Sequence, residues 1–401
     1  MKDSSIRFEL EAPTKARSGE VDSLRAFAML AVIALHAHIF PMGWIGVWLF
    51  FVISGFVVTQ ALLRRQDRQP GSGLLAEFAV RRVARIMPLY FGYLLAGLAV
   101  SGLFGLRQDP LSVASLFFFF NNAVMPMGGG TMTGWPSGHL WTLSTEMQFY
   151  LVYGVALCCL SQAVTKRLLV GLLILCPLLR LAFGAWLARQ GVAPLDAAFA
   201  VYAAPVLHFD IFAMGALLAF TMQSQRQTRL LALVGFAALM LYAVCYVGVN
   251  MLVRHDAGVE ALRNVVSGIL AGEYREAFVY SAIGLAMTGL VALAASGDRL
   301  VQPLLRWPVL QRIGVISYGG YVYHQLGLRA GTQLLGLAHI QVRHGSAMAH
   351  VLQYLIALIL TLILAEASFR WFETPVRRWI EALWRGAYRR AVPVAMEAQA
   401  R

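Results

Sequence analysis

Charged residues are scarce in this chain of 401 residues: they make up 13% of it, against roughly 25% in soluble domains. That scarcity excludes an ordinary soluble domain. Hydrophobic residues make up 59%, and apolar runs of about 20 residues recur along most of the length. The sequence therefore predicts an all-α fold, a polytopic bundle of transmembrane helices.

Cysteine is also scarce, and the chain has neither a metal-ligand spacing nor a disulfide pattern. Its four cysteines, Cys158, Cys159, Cys176 and Cys245, all fall inside apolar runs, so we interpret them as packing residues. We expect no bound metal and no permanently bound cofactor. We also find no inverted repeat of the kind common in secondary transporters.

Ten segments have the length and composition of membrane spans: 24–41, 44–63, 88–105, 140–160, 168–187, 205–222, 230–249, 278–295, 313–337 and 350–370. With the N-terminus placed inside, the inner loops carry about four times as many Lys and Arg residues as the outer loops. Both termini are therefore predicted to be cytoplasmic. This topology also accounts for the formal net charge of +13, so we expect no nucleic-acid partner.

The spans divide the chain into three predicted parts. Residues 1–23 form a cytoplasmic N-terminal segment, 24–373 the membrane domain, and 374–401 a basic tail that lies as an interfacial helix on anionic lipids. The outer loop 106–139 is aromatic and then Gly-rich, which suggests a re-entrant or interfacial piece followed by a mobile lid. We expect no further domain after the last span, and therefore that the chemistry is completed within the membrane domain.

The first predicted span carries two ionisable residues, Arg25 and His36, eleven positions apart. At 100° per residue both side chains share one helical face, and they lie roughly 16 Å apart along the axis. One face thus offers a cation near the surface and an imidazole deep in the bilayer, where ionisable groups are costly and usually functional.

Two further patterns suggest ligand contacts. Arg82 and Arg85, at i and i+3, share a helical face just before Pro88, which we expect to open the third span; paired guanidiniums suit phosphates. Ordinary inner-loop charge is the alternative. In the second span, Ser54 and Gly55 permit either close helix packing or a narrow passage for a slender ligand.

Polar residues in later spans are predicted to meet His36. If the fourth helix starts by His139, then His139, Glu146 and Tyr150 share a face. Counted along their helices, His36, Glu146 and His324 fall in one layer of the membrane. A histidine and a carboxylate in such a layer are candidates for a general base and its orienting partner. With His36 as the base, either Glu146 or His324 could be the orienting partner.

Six motifs in order resemble acyltransferase family 3, the integral-membrane O-acyltransferases of bacterial surface polysaccharides, nodulation factors and some macrolides. They are DSLRAFAML with its following His, GVWLFFVISGF, RRVARIMPLY, HLWTLSTEMQFY, ISYGGYVYHQ and FETP, and they run from Asp22 to Pro375. The resemblance implies transfer from cytoplasmic acyl-CoA, commonly acetyl-CoA, to a hydroxyl presented from the other side of the bacterial inner membrane.

Residue by residue, the resemblance makes His36 the catalytic base, with Glu146 supporting the site. Arg25, Arg82 and Arg85 would bind the phosphates of the donor, while Ser54, His139, Tyr150 and His324 would support the site or the substrate. The sequence departs from the family pattern at three positions. Trp48 replaces a common Asp, Met147 a common Glu and His208 a frequent Arg, so any mechanism that needs two adjacent carboxylates is in doubt.

Three alternatives remain open. A transporter or flippase for a lipid or sugar could use the same polar layer as a proton relay, and an acyltransferase could act on a small molecule such as a macrolide. A different O-acyltransferase family relies on His and Asn, but Asn121 and Asn122 fall in the outer loop. Acyl-CoA, a carbohydrate or lipid-linked glycan acceptor and membrane lipids are the expected partners; the sequence does not determine the acceptor, the acyl length or the oligomeric state.

Overall fold

A computed structural model of the chain describes residues 19–66, 72–221, 224–263, 265, 275–342 and 346–399, with side chains as far as residue 386 in the last helix. The structure is 84% helical, and no strand occurs among these residues. The all-α prediction is thus confirmed. Most of the predicted N-terminal segment lies outside the described residues, as does part of the connection between the predicted spans 230–249 and 278–295.

The first ten α-helices are α1 Gly19–His36, α2 Ile45–Gln66, α3 Ser72–Leu103, α4 Pro110–Phe117, α5 Asn121–Val124, α6 Trp141–Cys159, α7 Gln162–Arg189, α8 Pro194–Ala203, α9 Phe209–Thr221 and α10 Gln225–Val253. The remaining seven are α11 Val259–Arg263, α12 Arg275–Ala295, α13 Gln302–Leu305, α14 Pro308–Val315, α15 Ser317–Leu337, α16 Ala347–Ser368 and α17 Thr374–Gln399. Short 3-10 helices cover Pro41–Trp44, Met125–Met127 and Gly138–Leu140, and a π-helical stretch covers Phe369–Glu373.

Each of the ten predicted spans falls on a helix. In the described residues, six helical segments are long and apolar enough to cross a membrane: Pro41–Arg64, Gly73–Leu103, Gln162–Arg189, Gln225–Val253, Arg275–Ala295 and Ala347–Gly386. This indicates a multi-pass membrane protein. The count of ten spans and the cytoplasmic termini stay predictions.

Two helices extend beyond the predicted spans. The first begins at Gly19, five residues before the predicted span 24–41 and inside the predicted N-terminal segment. The third begins at Ser72 and contains Pro88, which was expected to open it. Pro88 removes one backbone hydrogen bond, but Ile86, Leu89 and Tyr90 on either side of it are buried against neighbouring helices, and this packing holds the helix continuous.

The centre of the bundle is α2, which packs against α1, α9 and α12. Glycines allow the closest of these contacts: a Cβ on Gly55 of α2 would collide with the carbonyl oxygen of Phe212, and a Cβ on Gly215 of α9 with that of Val52. Such reciprocal small-residue contacts are how helices approach closely in membranes. Of the two interpretations of Gly55, close helix packing is therefore confirmed.

Apolar side chains also cover the outside of the bundle. Leu168, Ile174 and Leu178 on α7 and Leu233 and Leu241 on α10 are exposed. A soluble protein rarely exposes apolar side chains in such numbers, whereas lipid accommodates them. The largest buried charged side chain, Arg180, forms a salt bridge with Asp210 (2.8 Å) inside the bundle.

The basic tail is helical, as expected: α17 follows α16 through the π-helical stretch and packs against α3. Glu366, at the end of α16, accepts hydrogen bonds from Arg312 (2.5 and 3.0 Å) and from Arg370. The interfacial position of the tail stays a prediction.

Candidate functional site

A cavity of about 980 Å³ opens at the C-terminal end of α1. We call it the histidine cavity, because His36, His38 and His139 line it. The 3-10 helix Pro41–Trp44, the segment 125–139 and helices α2, α6, α8 and α15 supply the remaining walls. Aromatic side chains that line it include Trp44, Trp135, Trp141, Phe199 and Tyr202.

His36 is the last residue of α1 and is exposed to this cavity. The helix ends there because the chain turns at His38, which takes a left-handed conformation (φ 59°), and enters the 3-10 helix at Pro41. Proline cannot continue the α1 hydrogen bonding, and it disfavours helical geometry at the residue before it. The sequence therefore places His36 at a helix end rather than within a longer span.

Three histidines from three different elements meet at this point. The rings of His36 and His324 lie with their centroids 5.3 Å apart, and those of His324 and His139 lie 4.8 Å apart. His324 and His139 are both buried. His36 and His324, predicted to lie in one layer of the membrane, are in contact here, and His139 joins them.

Backbone carbonyls of α15 orient the two buried rings. His324 Nδ1 lies 2.5 Å from the carbonyl oxygen of Tyr321, and His139 Nε2 lies 3.0 Å from that of Val322. A carbonyl oxygen only accepts, so each of these nitrogens carries a proton. Neutral His324 therefore has its lone pair on Nε2, where the side-chain amide of Gln325 lies 3.3 Å away.

A second, narrower cavity of about 70 Å³ lies beside α2 and α3. We call it the arginine cavity, because Arg25, Arg82 and Arg85 all line it. The remaining polar side chains that line it are those of Ser54, Thr142, Glu146, Tyr150, Ser317, Tyr318 and Tyr321. The predicted clustering of the three arginines is thus observed.

The arginines differ in their pairing. Arg25 is buried and forms a salt bridge with Asp22 (3.3 Å). The guanidinium of Arg82 lies over the ring of Tyr150, 5.6 Å from its centroid, and its buried Nε has no hydrogen-bond partner. Within the described part of the chain, neither Arg82 nor Arg85 forms a salt bridge with a carboxylate, so this cavity has positive charge available for an anion.

Glu146 lies in the arginine cavity and not beside the histidines. Its Oε1 accepts hydrogen bonds from Ser54 Oγ (2.5 Å) and from the hydroxyl of Tyr150. The condition for stacking His139 on Glu146, a helix that starts by His139, is not met: α6 begins at Trp141 and His139 lies on the preceding 3-10 turn. Glu146 and Tyr150 share one face of α6, as expected, and their side chains are hydrogen-bonded.

The two cavities share a wall. Val47 of α2 and Tyr321 of α15 line both of them. The hydroxyl of Tyr321 donates to the carbonyl oxygen of His139 (3.0 Å) and accepts from Thr142 Oγ1 (2.7 Å), so hydrogen bonds on both sides hold the ring in place. Sequence reasoning missed this arrangement, since only the packing of three helices defines it.

The Gly-rich segment expected to form a mobile lid is instead tied to the bundle as a cavity wall. Three side chains of the bundle donate hydrogen bonds to backbone carbonyls of this segment. Arg329 donates to Gly134 (3.0 Å), Tyr93 donates to Pro136 (2.6 Å), and Ser101 donates to Thr133 (2.9 Å). Asn121 and Asn122, in the predicted outer loop, are fully buried and bonded to α6. Within the described chain, no set of three His, Cys, Asp or Glu side chains is placed to bind a metal ion.

Two of the departures from the family pattern lie in contact. Trp48 is fully buried, and its ring lies 5.1 Å from that of His208 and 5.0 Å from that of Tyr280, on which it stacks. His208 Nε2 lies 3.0 Å from the carbonyl oxygen of Tyr202, whose ring lines the histidine cavity. The residues that replace the usual Asp and Arg therefore form one aromatic cluster behind the cavity wall.

Fold and site together define a helical membrane protein with two polar cavities that meet at a common wall. The chain belongs to the acyltransferase domain family, which matches residues 18–367. It is 27% identical over 372 residues to the peptidoglycan O-acetyltransferase OatA of Listeria monocytogenes, covering 89% of this chain and 55% of that protein. It is 24% identical over 373 residues to the O-acetyltransferase OatA of Staphylococcus aureus, covering 89% and 57% respectively.

The chain thus spans little more than half the length of these curated relatives. No solved structure gives a significant match.

Proposed function

We propose that this chain is a membrane-bound O-acyltransferase. It moves an acyl group, by default acetyl, from cytoplasmic acyl-CoA to a sugar hydroxyl of a cell-surface polysaccharide or lipid-linked oligosaccharide. The observation that carries the proposal is the contact of an arginine cavity with a histidine cavity across Val47 and Tyr321. Family membership and relatives named as O-acetyltransferases support acyl transfer, and the name of the Listeria relative supports a glycan acceptor.

The arginine cavity suits the donor. Arg82 and Arg85 offer planar forks of donors for the phosphates of CoA, and Arg25 adds a third cation. At about 70 Å³ the cavity is too small for a nucleotide, so we assign to it only the slender pantetheine arm. That arm is comparable in length to the separation of Arg25 and His36 along α1, roughly 16 Å, so the thioester reaches the histidines while the nucleotide stays outside.

The histidine cavity suits the acceptor, and His36 is the general base. His36 takes the proton of the acceptor hydroxyl as the oxygen attacks the thioester carbonyl carbon. A carbon–oxygen bond forms, the carbon–sulfur bond breaks, and the proton passes to the departing thiolate of CoA. The protein forms no covalent intermediate in this scheme, and it uses no metal.

His324 is the side chain we assign to orienting His36. Its ring is in contact with that of His36, and its own orientation is set by the carbonyl of Tyr321. Glu146 instead holds Ser54 and Tyr150 in the arginine cavity, where Tyr150 also supports Arg82. We therefore assign Glu146, with Ser54 and Tyr150, to positioning the donor, and His139 to packing beside His324.

The test is acetyl transfer by the purified chain in detergent. Labelled acetyl-CoA is supplied with cell-wall oligosaccharides, and both free CoA and the labelled ester are measured. Transfer with one CoA released for each ester formed is expected. A protein that binds no acetyl-CoA but moves a labelled glycan across proteoliposome membranes would establish the transporter alternative, and ester formation on a macrolide alone would establish a small-molecule acceptor.

A further inference from the structure

Helix α15 presents one row of polar side chains to the histidine cavity. Tyr321, Gln325 and Arg329 are spaced four residues apart, and all three line the cavity. Residues at this spacing stack on one helical face, each about 6 Å further along the axis. The row begins at the wall shared with the arginine cavity and ends with a guanidinium.

Arg329 is the one Asp, Glu, Lys or Arg side chain among the described residues that line this cavity. It is exposed, and one of its nitrogens donates to the carbonyl of Gly134 (3.0 Å). It forms no salt bridge with a carboxylate in the described part of the chain. A guanidinium has five N–H donors in a fixed fork, so the bond to Gly134 leaves donors that face the cavity.

We propose that Arg329 binds an anionic group of the acceptor, a carboxylate or a phosphate, and so makes the chain selective for acidic glycans. The inference rests on the proposed function, since it takes the histidine cavity as the acceptor site. The cavity walls are otherwise apolar, aromatic or neutral, and no carboxylate among the described lining residues would repel an anion. An unpaired cation in such surroundings favours a charged partner.

The geometry also sets where the anion lies. Arg329 and His36 line the same cavity, and the ring of His324 contacts that of His36. An anion held by Arg329 and a hydroxyl activated by His36 are thus in one cavity. The anionic group is therefore carried by the sugar that receives the acetyl group or by its immediate neighbour, either as an acidic sugar of the glycan or as the phosphate that links a sugar to a lipid carrier.

The experiment compares three acceptors with the purified full chain and acetyl-CoA. They are a neutral oligosaccharide, the same oligosaccharide with a terminal hexuronate, and the same oligosaccharide as its glycosyl phosphate. The readout is kcat/KM for each charged acceptor divided by that for the neutral one. Preference for the hexuronate indicates a glycan carboxylate, and preference for the glycosyl phosphate indicates the carrier linkage.

Arg329→Gln separates recognition from loop support, because a glutamine amide can still donate to the carbonyl of Gly134 but carries no charge. We expect it to lower the ratio roughly 10- to 100-fold, the effect of one charge-assisted bond, and Arg329→Lys to restore part of it. Arg107→Gln is the control: Arg107 is exposed in a neighbouring loop and lines neither cavity. It should leave the ratio of charged to neutral kcat/KM unchanged.

Equal losses for neutral and charged acceptors in Arg329→Gln would overturn the proposal in favour of a purely structural role. So would a wild-type chain that shows no preference for charge. If the chain acetylates none of the three acceptors, the proposed function fails, and the role of Arg329 must be tested by binding alone. Quenching of tryptophan fluorescence by the hexuronate oligosaccharide then decides this inference: weaker binding in Arg329→Gln supports it, and unchanged binding overturns it.

Discussion

His36 and His324, far apart in the sequence, lie with their imidazole rings 5.3 Å apart at the edge of one cavity. His324 has its Nδ1 proton directed at the carbonyl of Tyr321, so its ring cannot turn freely. Glu146, the other candidate partner, bonds to side chains of the second cavity. The two candidates can therefore be separated by experiment.

We expect His324→Gln to change the pH dependence of kcat, because it replaces the ring beside His36, the proposed general base. Glu146→Gln should mainly raise the KM for acetyl-CoA, since Glu146 organises Ser54 and Tyr150 in the arginine cavity. The measurement is kcat and KM from pH 5 to 9 for both variants. A changed pH profile in Glu146→Gln with none in His324→Gln would reverse the two assignments.

Replacing His36 with alanine should reduce acetyl transfer by at least about 100-fold, the usual contribution of a positioned general base. His36 is exposed at the end of α1, so its loss should leave the fold intact. Gel filtration and acetyl-CoA binding are the controls, and both should match the wild type. Activity retained above one tenth would exclude His36 as the base.

Arg85→Ala should raise the KM for acetyl-CoA by about tenfold or more, because a guanidinium–phosphate contact is charge-assisted. The KM for the acceptor should change little. The matched control is Arg81→Ala on the same helix: Arg81 is exposed, pairs with Glu77 (2.7 Å) and lines neither cavity. A change confined to acceptor affinity in Arg85→Ala would contradict donor binding.

Gly55→Ala should destabilise the bundle by about 1–3 kcal/mol, because its Cβ would collide with the backbone of α9. Gly171→Ala on α7 is the control, since a Cβ there meets nothing within 4 Å and alanine is the better helix former. Thermal unfolding in detergent measures both. Equal melting temperatures would mean that α2 and α9 can separate without cost.

The stability that Asp298→Asn removes should depend on pH in one direction. The hydrogen bond from Arg229 (2.7 Å), together with that from the backbone of Leu300, lowers the pKa of Asp298 below its ordinary value. A lowered pKa means that the carboxylate stabilises the fold above its ordinary pKa, and that this contribution is lost as the pH falls through the lower, folded value.

The wild type should therefore melt above Asp298→Asn at pH 7, and the difference should shrink below about pH 4. Asp196→Asn, at an exposed position on α8, serves as the control and should show a smaller difference at pH 7. If the difference in melting temperature between the wild type and Asp298→Asn grew as the pH fell, it would contradict the lowered pKa of Asp298.

Much of the architecture was predictable because it depends on local patterns. Apolar runs located the ten helical segments, and the spacing of Arg82 and Arg85 placed both on one cavity wall. Helix starts were less predictable: Pro88 and His139 occupy places that depend on which neighbours pack around them. Spacing alone therefore brought Glu146 too close to the histidines.

Contacts between distant segments were beyond sequence reasoning. Trp48 and His208 each departed from the family pattern, but their shared cluster with Tyr280 follows from the crossing of α2, α9 and α12. The histidine pair was predictable only as a coincidence of depth. The row that ends at Arg329 carried no sequence signal, because a single arginine in a span resembles any other.

The wall formed by Val47 and Tyr321 bears on hydrolysis of the acyl donor in the absence of an acceptor. In the proposed mechanism, the wide cavity beyond it, at about 980 Å³, has room for water as well as for an acceptor, and His36 as the base would activate either one. The proposed enzyme would then lose acetate by hydrolysis whenever the thioester passed the wall before the acceptor arrived. On this proposal the tyrosine ring, fixed by Thr142 and by the carbonyl of His139, limits how much acetyl-CoA is hydrolysed without an acceptor.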